Sequence, residues 1–422
     1  MAIKRHIPAP SQVELDVHLG QAGVHLGKLV YVKAGAREFS QFAYAESWLK
    51  EKACFDISSD LDRTLGFQVH KPANKDESCF FYALADTEPD TWGRRVIARA
   101  HAKERKANPA LPALTELDYL CKVDDFSRIG ALRVLNGKKP YLRTVEEGKR
   151  ATPPLLELAR LYAASRAFEL SQETQEDLKY LQGKGTSLGG MRPKCTVLDE
   201  DGFLALGKFP SVKDERSVTR GEVLALHLAE LAGIRVASSR IAMVGETPVA
   251  IIRRFDRTED NGRIPYMSGT SMLQALRGEE RAYTEVVDVM RSKSRDYLAD
   301  ARELWRRLVF NHLITNVDDH LHNIGFLYEG DNKWSLSPAF DLNPFPDKDR
   351  ESKTWLSEDT GPITSVEQLM SQASRFELDA KQAEEVLAEV ASAVDQWRAV
   401  AVSAAVGLEA NELEDFAPAF ER

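Results

Sequence analysis

The chain opens on alternating apolar and polar positions, the period-two signature of strands with one buried face. Val13–Leu19 alternates, Gly20 and Gly23 punctuate, and Lys28–Val32 alternates again before Gly35. The first sixty residues therefore read as short strands and turns. From Asp90 to about Ala107 the period lengthens to that of a helix. Trp92, Val96 and Ile97 share one of its faces, and Arg94, Arg95, Arg99, Lys103, Arg105 and Lys106 make the other. A loose, charged stretch, Thr144–Thr152, flanked by Pro140, Pro153 and Pro154, predicts a domain boundary near residue 150.

Pro154 stands where a helix can begin, and Leu155–Leu170 carries apolar residues at helical spacing. Lys194–Phe209 then reads as a β-hairpin around the turn Asp199–Gly202. Arg220–Ala232 reads as a helix closed by Gly233, and Ser239–Phe255 as a second hairpin. Two hairpins around one helix predict a small antiparallel sheet with that helix packed on it. Beyond about residue 265 the pattern is mostly helical, at Ala282–Met290, Ala299–Ile314, Val366–Ser374 and Leu378–Ala405. One short hairpin, from Ile324 to Phe340, interrupts these helices. The pattern predicts an α+β chain in three parts: residues 1–150, a sheet-bearing lobe over 151–265, and a helical lobe over 266–422.

Composition narrows the class. At 422 residues, with 43% hydrophobic and 29% charged residues, the chain has the balance of a water-soluble globular protein. A net charge of −9 argues against a surface built globally for nucleic acid. The four cysteines, Cys54, Cys79, Cys121 and Cys195, are scattered without a CxxC pair, which fits a reducing compartment. The start MAIKRHIPAP lacks the apolar stretch of a secretory signal. The longest apolar run, Ala399–Leu408, is about half of what a bilayer requires. A cytoplasmic location without a membrane partner is the expectation.

Three segments carry candidate chemistry. The loop Gly183–Gly190 is rich in glycine, which lets backbone N–H groups approach phosphate oxygens, although its spacing is neither that of a Walker loop nor quite GxGxxG. Taken alone, it also reads as a plain linker. Lys208 ends an apolar strand and Glu222 lies on the following helix. That is the order in which a kinase presents its phosphate-holding lysine and the glutamate paired with it. Third, Asp318 and Asn323 stand at the D-x-x-x-x-N spacing of a kinase catalytic loop, followed by Asp341 after a strand pair. In such a loop the aspartate accepts the hydroxyl proton, while the asparagine and the later aspartate hold metal. The same stretch, with His312, Asp318, Asp319, His320, His322 and Asp341, also resembles the ligand store of a two-metal hydrolase. That alternative leaves Lys208, Glu222 and the glycine loop without a role.

The chain resembles the HipA family, serine/threonine kinase toxins of bacterial toxin–antitoxin pairs. In the first third the likeness rests on Val17–Gly20, Gly27–Leu29, Phe42–Tyr44, Asp90–Trp92 and Ser127–Leu132. In the core it rests on Ser187–Gly190, Gly207–Pro210, Glu222, Arg254–Arg257, Asp318–Asn323 and Phe340–Asp341. The resemblance implies a two-lobed protein-kinase-like fold, with an extra N-terminal β/α subdomain, that uses ATP and Mg²⁺. It implies Asp318 as catalytic base, Asn323 and Asp341 as metal ligands, and Lys208 as the ATP-phosphate lysine, supported by Glu222. The loop Gly189, Gly190, Met191, Arg192, Pro193 and Lys194 would contact ATP, with Arg253, Arg254 and Phe255 at the adenine and His320 and Asn323 nearby. Ser187 would be the autophosphorylated residue, with Thr186 as its competitor. The family's substrates include aminoacyl-tRNA synthetases, and its usual partner is a HipB-like helix-turn-helix antitoxin that binds operator DNA. Met191-Arg192-Pro193, Arg253 and His322 depart from the residues familiar at those positions. A catalytically idle corepressor is the alternative of another class. The basic face Arg94–Lys106 reads first as a plain solvated helix, with contact to DNA backbone as the other candidate reading.

Overall fold

The computed structural model describes residues 11–137, 141, 157–184 and 190–421. The expected boundary near residue 150 lies outside the described residues, as do Pro140, Thr144–Thr152, Pro153, Pro154, Thr186, Ser187 and Gly189.

The N-terminal alternation forms five strands: β1 (Ser11–Leu19), β2 (Val24–Ala34), β3 (Arg37–Tyr44), β4 (Phe67–His70) and β5 (Leu132–Leu135). They join in one antiparallel sheet ordered β4-β3-β2-β1-β5. Leu15, Val17, Leu29 and Phe42 are buried beneath it. The helix Thr91–Ala107 starts at Asp90, whose carboxylate accepts from the Gly93 N–H at 2.7 Å. Its apolar residues Trp92, Val96 and Ala100 pack against Ala164 and Phe168 of the helix Leu158–Glu169 and Leu178 and Leu181 of the helix Gln175–Lys184.

The polar face of that helix is not the open basic surface that the sequence implied. Arg94 pairs with Glu116 at 2.7 Å and Glu88 at 3.3 Å. Arg99 and Lys103 converge on the buried Glu173, at 3.3 and 2.9 Å. Three of the six cations are thus committed within the chain.

The second lobe holds β6 (Lys194–Leu198), β7 (Leu204–Lys208), β8 (Ser239–Val244) and β9 (Thr247–Arg253) in an antiparallel sheet ordered β6-β7-β9-β8. The helix Val218–Leu231 packs on β8 and β9, as two hairpins around a helix predict. Gly233 closes it at φ +74°, with the Ile234 N–H donating to Ala229 O at 2.9 Å.

In the third part, β10 (Tyr266–Ser268), β11 (Gly325–Gly330) and β12 (Lys333–Leu336) form a small antiparallel sheet among helices. The long helix expected over Leu378–Ala405 is two pieces, Ala380–Val394 and Trp397–Ala401. The break lets Trp397 stack on Phe420 of the C-terminal helix at 4.8 Å between ring centres. Among the described residues no helix is long and apolar enough to cross a membrane.

A buried charge cluster joins the N-terminal subdomain to the second lobe. Asp256 binds Arg254 and Arg257 at 2.6 Å each and accepts from the Gly130 N–H at 2.7 Å. The two guanidiniums also donate to the carbonyls of Phe126, Ser127, Arg128 and Gly130. Burial disfavours the Asp256 carboxylate, but the two arginines outweigh it and hold its pKa well below the usual carboxylate range.

Two outcomes follow. Asp256→Ala leaves two buried guanidiniums without their counter-ion and should cost about 3–5 kcal/mol, read from denaturant unfolding. Because the folded pKa is depressed, the wild-type contribution is present above the unfolded carboxylate pKa and is lost as pH falls below it. Asp256→Ala should therefore unfold with a flatter acid limb. At Gly221, a Cβ would stand 2.7 Å from the Phe416 ring of the C-terminal helix. Gly221→Val should destabilise by about 1–3 kcal/mol through overpacking, and calorimetry checks it.

Candidate active site

The site is built between the sheet of the second lobe and the helices of the third. Lys208 is the last residue of β7 and lies opposite Lys194 in the β6–β7 register. Its ammonium reaches Glu222 at 2.5 Å and Asp341 at 2.6 Å. Lys208 is 8% and Glu222 3% exposed, while the Asp341 side chain keeps 23% of its surface open to the cleft. Burial opposes the charge on Lys208, but Asp341 and Glu222 outweigh it and raise its pKa. Burial likewise works against the Asp341 carboxylate, yet Lys208 and then Lys194 bring its pKa down to about 2. For Glu222 burial dominates and raises the pKa, with Lys208 opposing.

Glu222 reaches this position because its helix is clamped. Gly221 faces Phe416, and the neighbouring Arg220 donates to Gly407 O and pairs with Glu412 at 3.5 Å. Asp341 takes a left-handed backbone, φ +57°, which aspartate tolerates better than most side chains. The Asn343 side-chain amide donates to the Asp341 carboxylate at 3.3 Å.

The loop after the helix Tyr297–Leu313 presents the remaining groups. Asn323 donates to the Asp318 carbonyl at 2.7 Å and lines one cavity together with His320, Asn316 and Asp341. The His320 Nδ1 is buried without a hydrogen-bond partner among the described residues. Its Nε2 lies 3.9 Å from the Asp318 carboxylate.

Adjacent aspartates play different parts. Asp319 is buried; its carboxylate accepts from Tyr283 Oη at 2.8 Å and from the Lys353 backbone N–H at 2.7 Å. Burial pushes its pKa up to about 6, and its hydrogen bonds tie the loop to Tyr283 and Lys353. The Asp318 carboxylate remains partly exposed, and its partner is the Lys353 ammonium. Sequence reasoning missed Lys353; it lies thirty-five residues further on, in no motif.

Of the loop expected to contact nucleotide, Gly190 to Lys194 are described. Met191 is 72% exposed, and Arg192 pairs with Asp214 at 2.6 Å. Pro193 O accepts from the Phe209 N–H at 2.9 Å. Lys194 is buried and bound to Asp90 at 3.1 Å, while the Trp92 N–H donates to Gly190 O at 3.3 Å. The start of the N-terminal subdomain's helix therefore holds the end of the glycine loop. Arg253 stacks over Phe203 at 3.6 Å, Arg254 belongs to the Asp256 cluster, and Phe255 packs against Phe340 at 5.2 Å. His312 lies away from this group, beside Arg350 and Glu367, and burial lowers its pKa to about 4. Among the described residues no three His, Cys, Asp or Glu side chains converge as a metal-only centre.

Known proteins bear on the fold and the family. HipA of Shewanella oneidensis, solved with HipB and operator DNA, aligns with 96% of this chain and 95% of its own at TM-score 0.67 and 16% identity. That likeness shows the two-lobed kinase-like fold. The Helicobacter pylori proinflammatory kinase CtkA aligns over 54% of this chain and 92% of its own, at TM-score 0.36 and 14% identity. A Haemophilus influenzae protein whose name proposes a kinase is 23% identical over 188 residues, 39% of this chain. The chain spans about half the length of that curated relative, 55%. The sequence profile of the HipA-like C-terminal domain matches residues 186–397, half of the chain, and the chain belongs to the HipA family.

Proposed function

We propose that this chain is an ATP-dependent serine/threonine protein kinase of the HipA toxin type. The observation that carries the reading is the ammonium of Lys208 held between Glu222 and Asp341, at 2.5 and 2.6 Å. The Asp341 side shares its cavity with Asn323. A strand lysine, a helix glutamate and a metal-binding aspartate in one contact is the arrangement phosphoryl transfer requires.

The residues fit the groups that the reading demands. Two carboxylates around one ammonium leave an excess negative charge beside an asparagine amide, which suits a divalent cation. The unpartnered His320 Nδ1 offers a polar contact to a bound nucleotide. Asn323 and Asp341 would hold Mg²⁺, which would supply positive charge to offset that of the phosphates. Lys208 would hold the α- and β-phosphates. Gly189 to Lys194 would lie along the phosphates and Arg253–Phe255 at the base, where backbone groups serve because the Arg254 side chain is already committed.

Asp318 would accept the proton of an incoming serine or threonine hydroxyl. The hydroxyl oxygen forms the new bond to the γ-phosphorus, the bond to the β-bridging oxygen breaks, and ADP leaves. By the family resemblance the acceptor would be an aminoacyl-tRNA synthetase in the cytoplasm, and Ser187, with Thr186 as its competitor, would be autophosphorylated. A HipB-like antitoxin would neutralise the kinase and carry it to operator DNA.

Two measurements test this. Asp318→Ala should lower phosphate transfer from labelled ATP by about 10²–10⁴-fold while nucleotide binding persists. Transfer at the wild-type rate removes Asp318 from the role, and no transfer by the wild type to itself or to any synthetase removes the kinase reading. Lys208→Met should leave Asp341 and Glu222 without their shared cation and weaken nucleotide binding by about 10-fold or more. Isothermal titration checks it, and unchanged affinity would take Lys208 out of the site.

A further inference from the structure

The Lys353 side chain is the cation placed against Asp318, and nothing in the catalytic motifs requires it. Its anchoring is specific. The Lys353 N–H donates to the Asp319 carboxylate at 2.7 Å, and the next residue, Thr354, donates through its hydroxyl to Asp319 O at 2.8 Å. Trp355 N–H then binds Arg281 O at 2.9 Å. The backbone is thus fixed to the catalytic loop on both sides of Cα. Only the four-carbon stem is free to swing, and the side chain is 56% exposed.

The neighbouring cations are engaged elsewhere. Lys208 is bound by Glu222 and Asp341, Lys194 by Asp90, and Arg350 donates to Thr315, Leu313 and Ala419. A transferring phosphoryl group carries its charge on the oxygens nearest the attacking hydroxyl, hence nearest Asp318. Two anions there, carboxylate and phosphate, repel unless a cation sits between them.

We infer that Lys353 is the γ-phosphate lysine of this site, moving its Nζ from the Asp318 carboxylate to a γ-phosphate oxygen when ATP binds. The inference rests on the kinase reading. The contact with Asp318 holds the ammonium in place while the site lacks nucleotide. On binding, the phosphate competes for it, and the carboxylate is released to receive the hydroxyl proton. A lysine suits this exchange because its ammonium is a compact charge on a flexible stem.

The test compares the affinities of the full-length protein for ADP and for an ATP analogue with a β,γ-imido bridge, both with Mg²⁺. A contact to the γ-phosphate strengthens only the second. Lys353→Ala should weaken the analogue by about tenfold and leave ADP unchanged, while Lys353→Arg restores most of the loss. The half-exposed side chain makes these variants safe for folding, and unfolding curves check that. Equal losses for both nucleotides, or none for either, overturn the γ-phosphate role while leaving the kinase reading intact. A wild type that binds neither nucleotide overturns both.

Discussion

An ammonium group buried between two carboxylates is the constraint on which the active cleft depends. Lys208, Glu222 and Asp341 come from a strand, a helix and a loop separated by up to 133 residues. None of the three is tolerable out of water without the others. The triad therefore fixes three segments at once and leaves one surplus negative charge at the point where a divalent cation would enter. Fold and candidate chemistry are coupled by the same desolvation cost.

A second consequence concerns the N-terminal subdomain, which is part of the cleft's construction. Asp90 satisfies two demands, capping the helix Thr91–Ala107 and neutralising Lys194 at the start of β6. The Trp92 N–H holds Gly190 O, and Asp256 ties Gly130 to Arg254 and Arg257, just beyond β9. Pro193 and Arg192 are then no oddity in this chain. The stretch they occupy is pinned to β7 and to Asp214, so its stiffness agrees with its contacts.

Much of this was legible from the sequence, for reasons that differ between elements. The hairpins β6–β7 and β8–β9 and the helix between them have strong periodicity and glycine turns, and they fold where the pattern places them. Lys208, Glu222, Asn323 and Asp341 stood out because their order matches what phosphoryl transfer demands, and the fold brings the first two and Asp341 into contact, with Asn323 lining the same cavity. The helix Leu378–Ala405 misled because a continuous apolar stripe does not report the break that a tertiary stack, Trp397 on Phe420, imposes. The basic face of Arg94–Lys106 misled because Glu116 and Glu173, its counter-ions, come from distant segments. Lys353 was invisible for the same reason: its partner lies thirty-five residues upstream.

The division of labour between Asp318 and Asp319 is the last step. Neighbours in sequence carry the same functional group, yet one is buried under a tyrosine hydroxyl and a backbone N–H, and the other faces the opening. Burial raises the pKa of Asp319 to about 6 and removes its free lone pairs from incoming hydroxyls. What Asp319 gains is control of position, since Tyr283, Lys353 and Thr354 all converge on it. Asp318 then projects from a loop whose geometry its neighbour has fixed. Its only ion pair with a lysine or arginine among the described residues is one that a phosphate can displace. A carboxylate that is held firmly but paired weakly is what a base must be before its substrate arrives. On the proposed kinase reading, the two-aspartate sequence would achieve that by giving one residue the structural work and leaving the other to the chemistry.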